Sequence, residues 1–181
     1  MTKHVALLRG INVGGRTQIA MADLRGLFIA LGCETVQTYL RSGNVVFGAP
    51  AGQTDAELAA LIGERIADDL GVSVTVLLRT AESLARTVAR NPYLGQEDDP
   101  AKLHVTFLAR EPTAEQAARL EVPAGETAVF TLAGDEIHLH VPDGYGRTRL
   151  DNAFIERRLG IPATTRNWRT VTALHDLAAR D

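Results

Sequence analysis

Apolar and polar positions along the chain fall into one rhythm stated twice. Lys3 to Arg9 reads as a largely apolar strand. Leu24, Leu27, Phe28 and Leu31 then recur at helical spacing, with Gly32 as the stop. Val36 to Leu40 and Val45 to Phe47 flank Arg41-Ser42-Gly43-Asn44, where Gly-Asn predicts the tight primed turn of a hairpin. Thr54 and Glu57 are spaced as a capping box. Leu58, Ile62, Ile66 and Leu70 step down one face of the helix it opens, and Gly71 ends that helix. Val72 to Leu78 predicts a further strand, and Thr80 caps a helix that closes at Asn91-Pro92.

Tyr93 to Ala101, polar and acidic at Glu97-Asp98-Asp99, reads as a linker. The rhythm then restarts. Leu103 to Ala109 predicts a strand, Thr113 with Gln116 a capped helix, and Ala128 to Leu132 with Glu136 to Val141 a hairpin around Gly134-Asp135. A loop begins at Pro142-Asp143-Gly144. A helix follows over Asn152 to Leu159, stopped by Gly160 and Pro162, and a last helix from Asn167 buries Trp168, Val171, Leu174 and Ala178.

Each half thus runs strand, helix, hairpin, helix, strand, helix. His4-Val5 with Leu8 echoes His104-Val105 with Leu108, Gly43-Asn44 echoes Gly134-Asp135, and Leu70-Gly71-Val72 echoes Leu159-Gly160-Ile161. Arg79-Thr80 likewise resembles Arg169-Thr170. The first three offsets are 100, 91 and 89 residues. Any one echo could arise by chance, but their shared order points to internal duplication. The βαββαβ order is ferredoxin-like, so the expected fold is α+β, with two such halves. The boundaries are 1–90 for the first half with its glycine loop, 91–101 for the linker, and 102–181 for the second half with an extra C-terminal helix.

The chemistry concentrates in Leu7-Leu8-Arg9-Gly10-Ile11-Asn12-Val13-Gly14-Gly15, a strand emptying into a glycine loop. Glycines accept positive φ, and successive N–H groups there form an anion-binding concavity. The loop has neither Walker A spacing nor the GxGxxG order. A plain strand-to-helix turn is the rival reading. The fall in offset from 100 to 91 gives the first half nine extra residues before its hairpin, whereas the second half passes from Arg110 straight to the Thr113 cap. In a ferredoxin-like fold the exit of the first strand and the following hairpin share one end of the sheet. Arg9, Asn12, Gly14, Gly15 and Arg16 should therefore meet Arg41, Ser42 and Asn44.

Charge adds a second candidate. The chain carries −3 overall, yet Tyr145 to Arg169 holds six arginines against Asp151 and Glu156, a local +4. Arg166 and Asn167 stand out there, at a helix start with free N–H groups. Lys3 and Lys102 are the only lysines among 19 basic residues, a composition bias that weakens the case for arginine as a phosphate reader. His138 and His140 share a strand face, but no metal-ligand spacing accompanies them. Ser42, Ser73 and Ser83 sit in no nucleophile elbow, and Cys33 stands alone at a helix end. The residues point to no metal and no cofactor, and they name no reaction. No membrane-length apolar run or secretory leader is visible, so the expected setting is the cytoplasm.

Taken in combination, several segments resemble a bacterial family of unknown function, DUF1697. They are the Leu7 to Gly15 run, Thr38 to Phe47, Asn91-Pro92-Tyr93, Leu150-Asp151-Asn152 with Phe154-Ile155-Glu156, and Ala163 to Trp168. The chain departs from the pattern at Arg41, where glutamine is expected, and at Thr148-Arg149 in place of Ser-Lys. The resemblance implies two ferredoxin-like halves in one small cytoplasmic protein and carries no reaction. The expectation from the residues is a monomer or homodimer that binds a small anionic or phosphate-bearing ligand through the ten candidates named above, Arg9 to Asn44 with Arg166 and Asn167. Nucleic-acid binding by the basic segment and a ligand-free interaction module are the alternatives. Few aromatics, 5% of residues, speak against base stacking on the sheets.

Overall fold

A computed structural model describes residues 1–15 and 17–180. The chain divides into two units, Met1–Ala85 with Leu174–Asp181, and Arg86–Ala173. The first unit runs β1 (Lys3–Leu8), α1 (Met21–Ala30), β2 (Glu34–Tyr39), β3 (Asn44–Gly48), α2 (Asp55–Leu70) and β4 (Val76–Thr80), and α3 (Ala81–Ala89) follows. Its sheet is antiparallel throughout, in the order β2-β3-β1-β4, which is the ferredoxin-like arrangement. Side chains alternate across each strand, so Ala6, Leu8, Val45, Phe47 and Leu78 join Leu24, Phe28, Leu58, Ile62 and Ile66 of the helices in one core. Phe28 meets Phe47 edge to face at 4.9 Å. The expected capping box is present: Glu57 N donates to Thr54 Oγ1, and Thr54 N donates to the Glu57 carboxylate at 2.8 Å. The Thr54 N–H and the Thr54 hydroxyl, both donating to the Glu57 carboxylate, hold that carboxyl below its usual range.

Two local expectations need correction. The hairpin is not a two-residue primed turn. Tyr39 pairs with Asn44, so Leu40 to Gly43 form a four-residue loop with φ +57 at Leu40 and +84 at Gly43. The buried Asn44 amide donates to Tyr39 O (2.8 Å) and Ser42 Oγ (3.0 Å), which holds Asn44 in β3 and leaves the turning to the residues before it. The strand expected over Val72 to Leu78 starts only at Val76. β4 lies at the sheet edge and pairs with β1 alone, and β1 ends at Leu8, whose partner is Val76. Beyond it a single bond, Arg9 N to Thr75 O at 3.0 Å, continues the ladder before Gly10 turns away at φ +68.

The second unit repeats the plan. After a 3-10 turn at Pro100–Lys102 come β5 (Leu103–Leu108), α4 (Ala114–Ala118), β6 (Val129–Ala133), β7 (Glu136–His140), α5 (Asn152–Leu159) and β8 (Ala163–Asn167), and α6 (Trp168–Ala179) follows. The antiparallel order is β6-β7-β5-β8. Leu108, Ile137, Leu139, Ala163, Ile155 and Leu159 share one core. Residues 93–97 pack within this unit: Tyr93 is buried, its hydroxyl lies 2.8 Å from Thr131 Oγ1, and Glu97 meets His140 Nε2 at 2.9 Å.

The halves match bond for bond. Leu8 N to Gly43 O (2.8 Å) corresponds to Leu108 N to Asp135 O (2.8 Å), and Arg9 N to Thr75 O corresponds to Ala109 N to Pro162 O. Val5 pairs with Arg79 as Val105 pairs with Arg166, and His4 with Thr80 as His104 with Asn167. This register revises two echoes. Gly43 is the counterpart of Asp135 rather than Gly134, and Arg79-Thr80 corresponds to Arg166-Asn167 rather than Arg169-Thr170. Thr80 and Asn167 each cap the following helix, accepting from Ser83 N (3.0 Å) and Thr170 N (2.9 Å).

Candidate functional site

The glycine loop occupies residues 9–20, between β1 and α1, against only residues 109–113 in the second unit. The second unit is not simply shorter, however. It spends its length after the helix, where residues 119–128 stand against residues 31–33 of the first unit. The duplicated framework is thus elaborated at a different connection in each half.

Topology brings the loop onto the hairpin as expected, and the contacts are specific. The Asn12 amide donates to Arg41 O (2.7 Å) and Ile19 O (3.0 Å), and its Oδ1 accepts from Ile19 N (2.9 Å). Asn12 N donates to Thr17 O at 2.6 Å, closing the loop on itself. Asn12 sits at φ +54, a left-handed conformation that asparagine tolerates better than most side chains. Ile11 is buried against Gly43. A β-carbon at Gly43 would stand 2.8 Å from both Ile11 and Leu8 side-chain carbons, so the two loops touch only because that position is glycine.

This geometry sorts the residues singled out by sequence. Asn12 spends its amide holding the loop to the hairpin and Asn44 spends its amide bracing the hairpin itself, so their observed part is architectural. Arg9, Val13, Gly14, Gly15 and Arg41 are exposed around them, and Ser42 is half-buried beneath the turn. Gly14 and Gly15 stand at φ +63 and +75, and the N–H groups of Val13, Gly14 and Gly15 donate to no described residue. Arg41 makes no ion pair among the described residues. Arg16 lies outside the described residues.

Arg166 and Asn167 belong to the second unit, at the end of β8. Arg166 is buried, and its Nη1 donates to Thr164 Oγ1 (2.6 Å) and Thr165 O (3.1 Å). Burial pushes its guanidinium down to about 10. Its counterpart Arg79 is also buried and donates to the preceding carbonyl, Leu78 O, at 2.8 Å. Sequence reasoning took Arg166 as a surface cation. Strand alternation in β8 sets Arg166 with Thr164 beside Val105, on the sheet face opposite Ala163 and its core, and that face is buried at this position. With Asn167 Oδ1 engaged as the cap of α6, the corner does not present the open helix start expected of it.

His4 and His140 are held in structural pairs, whereas neither ring nitrogen of buried His138 makes a hydrogen bond among the described residues. His4 Nε2 lies 2.8 Å from Asp55, and His140 pairs with Glu97. His138 lies 3.4 Å from Glu136, which also accepts from Thr87 at 2.5 Å. His104 stacks on Tyr145 at 4.6 Å, and burial pushes its imidazole down to about 4. Among the described residues, no group of three or more His, Cys, Asp or Glu could hold a metal ion. No described helix is long and apolar enough to cross a membrane.

Residues 1–138 match the family described as "Protein of unknown function (DUF1697)". The chain belongs to this family. Among solved structures it is similar to the conserved bacterial protein SP0830 from Streptococcus pneumoniae, at 24% identity over 99% of each chain, with a TM-score of 0.76. That likeness concerns the fold of two similar halves. No curated protein matches the chain. The matched residues include the Leu7–Gly15 and Thr38–Phe47 segments, which the structure joins through Asn12 and Gly43.

Proposed function

We propose that this DUF1697 protein binds a small anionic, phosphate-bearing ligand at the joined loops. One observation carries the reading: three consecutive N–H groups, at Val13, Gly14 and Gly15, are claimed by no described residue and lie on a loop anchored to exposed Arg41 through Asn12. Fixed N–H groups and a guanidinium bind anions with little reorganisation, since the loop is already shaped. A cytoplasmic setting suits it, because phosphorylated metabolites are abundant there and a lone thiol such as Cys33 stays reduced.

The test is a titration of the 15N-labelled protein with inorganic pyrophosphate, following backbone amide resonances. Gly14 and Gly15 should shift in a saturable way, and Arg41→Ala should weaken that response several-fold. Unmoved loop amides at saturating pyrophosphate would refute the reading.

A further inference from the structure

We infer that the second unit carries a separate site for a mononucleotide, in a cleft beside Phe154. The cleft has a volume of about 750 Å³, inside the range of roughly 300–1,000 Å³ common for small-ligand pockets. It is lined by residues 121–124, which belong to the long connection after α4, and by Thr148, Arg149, Phe154, Arg157 and Arg158.

One wall is braced from behind. Arg149 N and Nε donate to Glu126 Oε1 at 3.0 and 3.2 Å, Arg149 Nη2 donates to Ala124 O, and Thr148 Oγ1 donates to Glu126 Oε2 at 2.9 Å. The Arg149 N–H and the Thr148 hydroxyl hold the Glu126 carboxyl below its usual range. Arg149 is therefore committed to the wall. Arg157 and Arg158 are exposed and make no ion pair among the described residues. Their guanidinium carbons lie 5.6 and 5.2 Å from the centre of the Phe154 ring. Of the two acids lining the cleft, Asp151 is occupied as the cap of α5, accepting from Phe154 N at 2.8 Å, and Glu121 is exposed.

The duplication supplies an internal control. α2 and α5 both close on Leu-Gly, at Gly71 with φ +68 and Gly160 with φ +66. Where α5 carries Arg157-Arg158, α2 carries Asp68-Asp69. Cations favour a helix C-terminus through the macrodipole, yet the sister helix forms with two carboxylates. The framework therefore does not require the arginine pair. Both departures of the second unit, the arginines and the 119–128 connection, converge on one cleft. Guanidinium groups bind phosphate with paired donors, and guanidinium planes backed by the Phe154 ring they lie over are flat surfaces on which a base stacks. Phosphate and flat ring in one ligand is a nucleotide.

The experiment is isothermal titration of the full chain carrying R41A, which weakens anion binding at the glycine loop so that its response is separated from the cleft, with ADP and, separately, with inorganic phosphate. The variants are R157D/R158D, which copies the sister helix, R157A/R158A in case the charge swap disturbs folding, and F154L. Circular dichroism checks each fold. Saturable ADP binding is expected at one site per chain, weakened about tenfold or more in either arginine variant and about threefold in F154L. The inference is overturned if ADP shows no saturable binding up to about 5 mM. It is equally overturned if folded arginine variants keep full affinity, or if inorganic phosphate binds as tightly as ADP. These residues are distinct from the glycine loop, so the two readings fail independently.

Discussion

Truncating Asn12 to alanine is the sharpest probe of how the loops are joined. The change deletes three hydrogen bonds, to Arg41 O, Ile19 O and Ile19 N. A net contribution of about 1 kcal/mol per bond is typical. Alanine at φ +54 adds a left-handed penalty of about 1 kcal/mol relative to asparagine. Arg41 O is near solvent and regains water, so the sum is discounted to about 3 kcal/mol. For a chain of this size that corresponds to a fall in Tm of about 6–12 °C. Asn12→Gly separates the two contributions, because glycine loses the same bonds while keeping the left-handed conformation. It should fall between wild type and Asn12→Ala. Thermal unfolding followed by circular dichroism measures both. If both variants lie within about 2 °C of wild type, Asn12 does not hold the loops and the derived site architecture is wrong.

Gly43→Ala combines a contact of 2.8 Å to Ile11 and Leu8 with φ +84, so it should destabilise by about 2–4 kcal/mol in a denaturant titration. Leu40→Asn replaces an exposed leucine at φ +57 and should raise Tm by about 2–4 °C, a gain that vanishes if the turn changes conformation instead. His104, held at about 4 against an unfolded value near 6.5, binds fewer protons folded than unfolded between those values. Its contribution is complete above about pH 6.5 and declines as pH falls toward about 4, by up to about 3 kcal/mol. His104→Phe keeps the stack on Tyr145 and should flatten the stability profile between about pH 4 and 6.5 relative to wild type; parallel profiles would exclude that role.

Much of the local structure was legible in the amino-acid order. The capping boxes at Thr54 and Thr113, the glycine stops at Gly71 and Gly160, and the two-residue turn at Gly134-Asp135 are decided by neighbours a few residues apart. So is the repeated order of elements, which dictates the ferredoxin-like topology and, through it, the meeting of loop and hairpin. The errors have the same physical character as one another. Where β4 begins depends on where β1 stops offering partners, and the side Arg166 faces depends on its pairing with Val105. Neither is encoded within a short window.

What the sequence determined by itself is a duplicated α+β framework, with helix ends set by local hydrogen bonding and a glycine loop placed by topology. Only the tertiary structure decided what the polar residues do. It made Asn12 and Asn44 fasteners, turned Arg166 and Arg79 inward, and left Gly14, Gly15 and Arg41 at the surface. It also gathered Arg157 and Arg158 with residues 121–124 around one cleft. The reason is that a polar side chain satisfies itself with whatever donor or acceptor folding brings within about 3 Å, and those partners here lie as far as 59 residues away along the chain, as between Thr106 and Thr165.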